Sequence, residues 1–162
     1  MDLSKNPGKS ITVKNSELHG MGVFAKRRIP EGATIIEYVG ERISHDEAAE
    51  RYDESDMKKH HTFLFTVDDD EVIDGGVDGN ESRFINHSCE PNCQAVQDGK
   101  HIWIEALVDI SKGSELTFDY QLESEGPLQK GWRAFYRCKC GTPSCRGTTL
   151  AAGQLEKRGE EE

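Results

Sequence analysis

The chain has 162 residues, 35% hydrophobic and 31% charged, with 30 acidic against 20 basic residues and a formal net charge of −10. That length suits one domain with room for a small appendage. The charge argues against a sequence-independent nucleic-acid binder, which needs a basic surface, so no direct nucleic-acid binding is expected, and it favours Lys/Arg-rich partners. No apolar run approaches the roughly 18 residues of a membrane span. The start, Met1 to Ser10, lacks the apolar stretch of a signal peptide, so neither export nor membrane insertion is expected.

Residues 1–9 are polar, with Pro7 and Gly8, and read as a flexible lead-in. A strand begins at Ser10-Ile11-Thr12-Val13, and Gly20 and Gly22 precede a second through Val23-Phe24-Ala25. Pro30-Glu31-Gly32 is a turn, followed by a buried, β-branched strand over Ala33–Val39. A helix is expected over 44–57, with Ser44 as N-cap and Glu47 three residues on; its six acids against one base put most of it in water. Thr62–Val67 and Val72–Asp74 read as a hairpin around Asp68–Glu71, a solvated tip without the spacing of a calcium loop. A short helix is expected over 78–85, and strands over His101–Leu107 and Glu115–Tyr120. Residues 121–131, with Gly126, Pro127 and Gly131, form a linker to a cysteine-rich appendage, and 151–162 is a frayed acidic tail. Many short strands and few helices make a β-rich α+β domain.

The five cysteines, an odd number, argue against a disulfide framework. Three of them, Cys138, Cys140 and Cys145, lie within eight residues, a clustering that suggests thiolates on a metal. A tetrahedral zinc site takes four ligands; Cys89 and Cys93 are both available for the fourth place. The run Asn86-His87-Ser88-Cys89-Glu90-Pro91-Asn92-Cys93 is the other concentration of chemistry. A nucleophilic Cys–His pair is disfavoured, because such pairs usually meet through the fold and not as near neighbours in sequence. A structural turn built on these polar residues and Pro91 is the plain alternative. His60 and His61 read as solvent-exposed.

Taken in order, His19-Gly20-Met21-Gly22, the run from Asn86 to Cys93, Glu115-Leu116-Thr117-Phe118-Asp119-Tyr120 and the Cys138-Cys140-Cys145 cluster resemble the SET-domain lysine methyltransferases, including their C-terminal post-SET zinc motif. The resemblance runs from about Ser10 to Leu150. It implies a SET domain over 10–121 and a linker and post-SET motif over 122–150. The fold would be one of short strands and small sheets, with a knot-like core where the Asn86–Cys89 segment meets the strand around Tyr120. It implies S-adenosylmethionine as methyl donor, held by His19, Gly20, Met21, Gly22, Arg83, Asn86, His87 and Leu150. Met21 stands where relatives often carry Trp, and Leu150 falls one residue later than is usual. Zn2+ would be held by Cys89, Cys138, Cys140 and Cys145, leaving Cys93 a free structural thiol.

The same resemblance makes Tyr120 the catalytic tyrosine. Phe118 would control product state, favouring di- or trimethylation because it lacks the hydroxyl that restricts the site to one methyl. Phe63 stands where many relatives have a channel Tyr. Tyr38 and Tyr136 are channel or lid candidates for which plain packing is the simpler role. The expected partner is a basic, histone-like protein, the expected state a monomer, and the expected location cytoplasmic, or nuclear and chromatin-associated in a eukaryote. A catalytically silent peptide-binding relative is the alternative; a small zinc-dependent nucleic-acid binder is remote at this net charge.

Overall fold

The computed structural model describes residues 1–18, 20–51, 63–120, 138 and 140–149. Its strands are short and pair into four small sheets. β1 (Ile11–Asn15) and β2 (Met21–Ala25) form an antiparallel hairpin with Ile11 opposite Ala25. β3 (Thr34–Tyr38) runs antiparallel to β9 (His101–Ala106), which pairs on its other side with β8 (Cys93–Asp98). β4 (Glu41–Ile43) and β5 (Leu64–Thr66) flank β6 (Val72–Asp74). The last sheet pairs β7 (Asn86–His87) with β10 (Thr117–Phe118) in parallel, two residues on each side.

The core is built largely from isoleucine. Ile29, Ile35, Ile36, Ile85, Ile104, Ile110 and Leu116 are at most 2% exposed and form one cluster with Val23 and Phe118. β9 alternates as a half-buried strand should, turning Ile102, Ile104 and Ala106 inward. A satellite cluster gathers Tyr38, Val67, Ile73 and Ile102. The amino-terminal segment is tied down: Leu3 N–H donates to the Thr34 carbonyl (2.7 Å) and Thr34 N–H to that of Met1 (2.9 Å).

The sequence expectations hold for most strands and shift at five places. The helix α1 spans His45–Arg51; the remainder of the expected 44–57 helix lies outside the described residues. Its cap is as expected, with Ser44 Oγ accepting from Glu47 N–H. Arg51 then fastens its carboxyl end to Glu41, Glu47 and the fully buried Asp74. The 78–85 helix is a 3-10 turn over Glu81–Phe84, capped by Asn80 Oδ1 on Ser82 N–H. β4, β7 and β8 are strands where none was expected. β8 (Cys-Gln-Ala-Val-Gln-Asp) has little β-branched content and draws its conformation from its partner β9.

The expected 115–120 strand contracts to Thr117–Phe118, because its neighbours are engaged elsewhere. Glu115 bridges to Phe24, and Leu116 N–H donates to the Val23 carbonyl (2.7 Å). Asn92 supplies the remaining pairing with its side chain: Nδ2 donates to the Glu115 carbonyl (2.8 Å) and Oδ1 accepts from Thr117 N–H (2.8 Å). Asn92 therefore acts as a short extra strand beside β10. Asn92→Ala leaves two backbone groups unpartnered and should cost about 1–3 kcal/mol, read as a lowered urea midpoint at unchanged m-value.

Candidate active site and metal centre

The β7–β10 pairing sets Phe118 beside His87 and delivers the chain to Tyr120. Tyr120 N–H donates to His87 Nδ1 (3.0 Å), which assigns the ring proton to Nε2. The His87 and Tyr120 rings meet edge to face, centroids 5.2 Å apart. Burial pushes His87 down to about 4, an effect that Asp119 opposes, so the imidazole is neutral. The Tyr120 hydroxyl donates to the backbone carbonyl of Ile85, immediately before Asn86. Burial, with smaller contributions from Tyr38 and Glu115, raises this phenol far above its ordinary value. It is a neutral hydroxyl whose proton is committed, so its oxygen faces any ligand as an acceptor.

Around Tyr120 lie aromatic rings. Phe118 is 4.9 Å away between centroids, and Phe65 stands 6.4 Å from Phe118 and 5.2 Å from Tyr38. Tyr38 is 2% exposed and donates its hydroxyl to the Phe63 carbonyl (2.6 Å); it packs, and it also anchors the backbone at Phe63. The guanidinium of Arg83 lies over Phe84 (4.6 Å) and Phe63 (5.9 Å).

On the other side of Asn86 is the loop before β2. Gly20 has φ +46°, and a Cβ built there meets nothing within 4 Å, so its backbone is open to close approach. Gly22 is small for a different reason. A Cβ there would overlap the Glu115 carboxylate and come 2.9 Å from Ser16 Cβ. Asn86 Nδ2 donates to Glu115 Oε2 (2.8 Å) and to the Met21 carbonyl (3.0 Å). Since both partners are acceptors, the amide nitrogen must face them, and the carbonyl end of Asn86 is directed elsewhere.

Four sulfurs converge next to this site: Sγ of Cys89, Cys138, Cys140 and Cys145 lie within 4.8 Å of one another. Tetrahedral zinc with Zn–S of about 2.3 Å needs sulfurs about 3.8 Å apart, and Cys89 and Cys138 stand 3.8 Å apart. Backbone N–H groups of Arg146, Cys140 and Gly147 point at Cys89, Cys138 and Cys145 (3.3–3.4 Å), a setting suited to thiolates. His87 Nε2 is 3.4 Å from Cys89 Sγ, so its proton also points at a sulfur. The set fits a zinc ion. Cys93 is not in this group; it is fully buried in β8, and burial pushes its thiol up to about 12. Arg146 adds a second tie, a bidentate pair with Asp119 (2.7 and 3.0 Å) one residue before Tyr120.

The family model for the SET domain matches residues 20–121. This chain belongs to the SET-domain family. It is 40% identical over 148 residues to "Histone-lysine N-methyltransferase 2B" of Homo sapiens, covering 89% of this chain and 5% of that protein. It is 41% identical over 145 residues (86% of this chain, 14% of that protein) to "Histone-lysine N-methyltransferase, H3 lysine-4 specific" of Candida albicans. A protein of the same name from Chaetomium globosum is 40% identical over 150 residues (88% and 13%). The chain thus spans only a small part of the length of these relatives.

Within this SET domain the structure brings Tyr120, Phe118, Asn86 and His87 together, with Gly20, Met21 and Gly22 on the loop against Asn86 and Phe63 and Arg83 at the aromatic side. His19, Leu150, Tyr136, His60 and His61 lie outside the described residues. Sequence reasoning assigned no part to Ser16, Ile85, Glu115 and Asp119, and took Arg146 only as the start of a 146–150 segment closing one side of the donor pocket. Glu115 and Asp119 flank Thr117–Phe118 in a motif already singled out, but their partners lie 27 to 99 residues away in the chain.

The sulfur cluster predicts one zinc per chain. Elemental analysis of protein purified without chelator should give a ratio near one, lowered by Cys89→Ala and unchanged by Cys93→Ala. The raised Tyr120 phenol predicts an alkaline effect. Its folded-state value exceeds its unfolded one, so its contribution to stability is complete below about pH 10 and lost as pH climbs from there toward the folded value. Denaturant midpoints measured from about pH 8 to 11 should fall less steeply for Tyr120→Phe than for wild type.

Proposed function

We propose that the chain is an S-adenosylmethionine-dependent protein-lysine N-methyltransferase acting on a Lys/Arg-rich target, a histone tail or another DNA-associated protein. The observation that carries this reading is the approach of Tyr120 to the Ile85–Asn86–His87 backbone, where the family's donor-binding and transfer residues coincide. The names of the relatives support a histone substrate, and the net charge of −10 suits a basic tail. A histone target places the activity at chromatin in preference to the cytoplasm. Among the described residues no helix is long and apolar enough to cross a membrane.

S-adenosylmethionine supplies a methyl group carried on a positively charged sulfur. Gly20, Met21 and Gly22, with Asn86, His87 and Arg83, are the residues proposed to hold it, and His19 and Leu150 complete the set by resemblance. The open backbone at Gly20 and the acceptor end of the Asn86 amide suit a ligand bearing an amino group. Cys89, Cys138, Cys140 and Cys145 hold a structural zinc that ties the C-terminal segment to this site.

The target lysine must attack as a neutral amine, yet its ordinary pKa of about 10.4 leaves it almost wholly protonated at pH 7. The rings of Phe63, Phe65, Phe118 and Tyr38 disfavour the ammonium by desolvation. Tyr120 is held neutral and so is not a base; the proton leaves to water. With its own proton given to Ile85, the Tyr120 oxygen accepts an N–H of the amine and orients the nitrogen. Phe118 has no hydroxyl to occupy the space beside the amine, which favours di- or trimethylation.

The test is direct. The purified chain with S-adenosylmethionine and core histones or basic peptides should yield methylated lysines by mass spectrometry. Tyr120→Phe should lower the rate at least about 100-fold, the scale on which misaligned reactants act. Phe118→Tyr should shift the products toward monomethyl-lysine. A chain that binds peptide but neither binds donor nor transfers methyl overturns the proposal and leaves a silent binding module.

A further inference from the structure

We infer that Glu115 is a positioning residue for the methyl donor, acting through Ser16 and Asn86. The inference rests on the donor site proposed above and adds a residue to it. The Glu115 carboxylate joins the two walls of that site, beside the direct bond from Asn86 Nδ2 to the Met21 carbonyl. Ser16 Oγ donates to the carboxylate (2.8 and 2.9 Å to the two oxygens), and Asn86 Nδ2 donates to Oε2 (2.8 Å). Ser16 is 99 residues away in sequence and Asn86 is 29.

Each contact fixes something a ligand would meet. Ser16 Oγ also accepts from Leu18 N–H (3.0 Å), while Ser16 N–H donates to the Gly20 carbonyl (2.8 Å). These bonds hold Ser16 against Leu18 and Gly20, where the Gly20 backbone is open. The carboxylate packs on Gly22 so closely that any Cβ there would displace it. On the other wall, Glu115 together with the Met21 carbonyl holds the amide nitrogen of Asn86, which fixes the orientation of the amide. Glu115 itself is anchored by backbone: it bridges to Phe24, and its carbonyl accepts from Asn92 Nδ2. One side chain therefore sets both the approach of Ser16 to the loop and the orientation of the Asn86 amide before any ligand arrives, which reduces the ordering cost of binding.

Donor binding by isothermal titration, together with steady-state KM and kcat for donor and peptide separately, tests this. Glu115→Ala should weaken donor binding at least tenfold and raise the donor KM alike. Peptide KM and kcat at saturating donor should stay within about threefold, the uncertainty of such context-dependent values. Glu115→Gln still places an acceptor at Asn86 and a polar partner at Ser16, so it should recover most of the affinity. Ser16→Ala, which removes one of the two donors without opening a large cavity, should weaken donor binding two- to fivefold; it carries the test if Glu115→Ala does not fold. Unchanged donor affinity in Glu115→Ala, or in Ser16→Ala, overturns the inference, as does equal weakening of donor and peptide. A wild-type chain that binds no donor overturns the proposed function instead.

Discussion

Everything chemical in this molecule is referred to a parallel pairing only two residues long, Asn86–His87 against Thr117–Phe118. So short a ladder has little stability of its own; isolated strand pairs of even hairpin length are marginal in water. It persists because side chains complete it. Asn92 extends the pairing on one side of β10, and His87 accepts the Tyr120 N–H just beyond its end. The irregularity has a chemical use. A long regular strand would bury Tyr120 in sheet hydrogen bonds, whereas a strand that stops at Phe118 leaves the next residues free to turn their side chains to Ile85, His87 and Arg146.

The two polar side chains that follow each other out of β10 serve different neighbours. Tyr120 turns to the interior, where burial holds it neutral. Asp119 turns to Arg146, in the segment carrying three of the four clustered cysteines. This ion pair is about one-fifth exposed on each side, so by itself it contributes modestly once solvent screening is counted. Zinc on the four clustered sulfurs would be a stronger tie, because a structural zinc supplies folding energy directly. Cys89 sits two residues past His87, so the sulfur cluster, the neutral imidazole and the tyrosine are consecutive members of one contact chain. Loss of the metal would thus be felt at Tyr120 through His87 and Asp119.

The glycines of the 20–22 loop show how one sequence feature can have two causes. Both read as ligand-facing in a Gly-Met-Gly run, yet only Gly20 opens outward. Gly22 is required by the carboxylate of a residue far along the chain. Smallness says that something comes close; it does not say whether that is a ligand or the protein itself.

What the sequence determined alone is local and chemical. β-Branched runs marked β3 and β9, Ser44 and Glu47 marked the start of α1, and the Asn86–Cys93 and Glu115–Tyr120 motifs with the clustered cysteines identified the family. Those signals are readable because propensity, capping and motif spacing act within a few residues. The tertiary structure alone decided that β8 is a strand, that β10 is two residues long, that Glu115 meets Ser16 and Asn86, and that Arg146 pairs with Asp119. β8 takes its form from the adjoining strand β9; the others depend on partners tens of residues distant, and a hydrogen bond or ion pair is set by distance in space, which spacing along a chain does not encode.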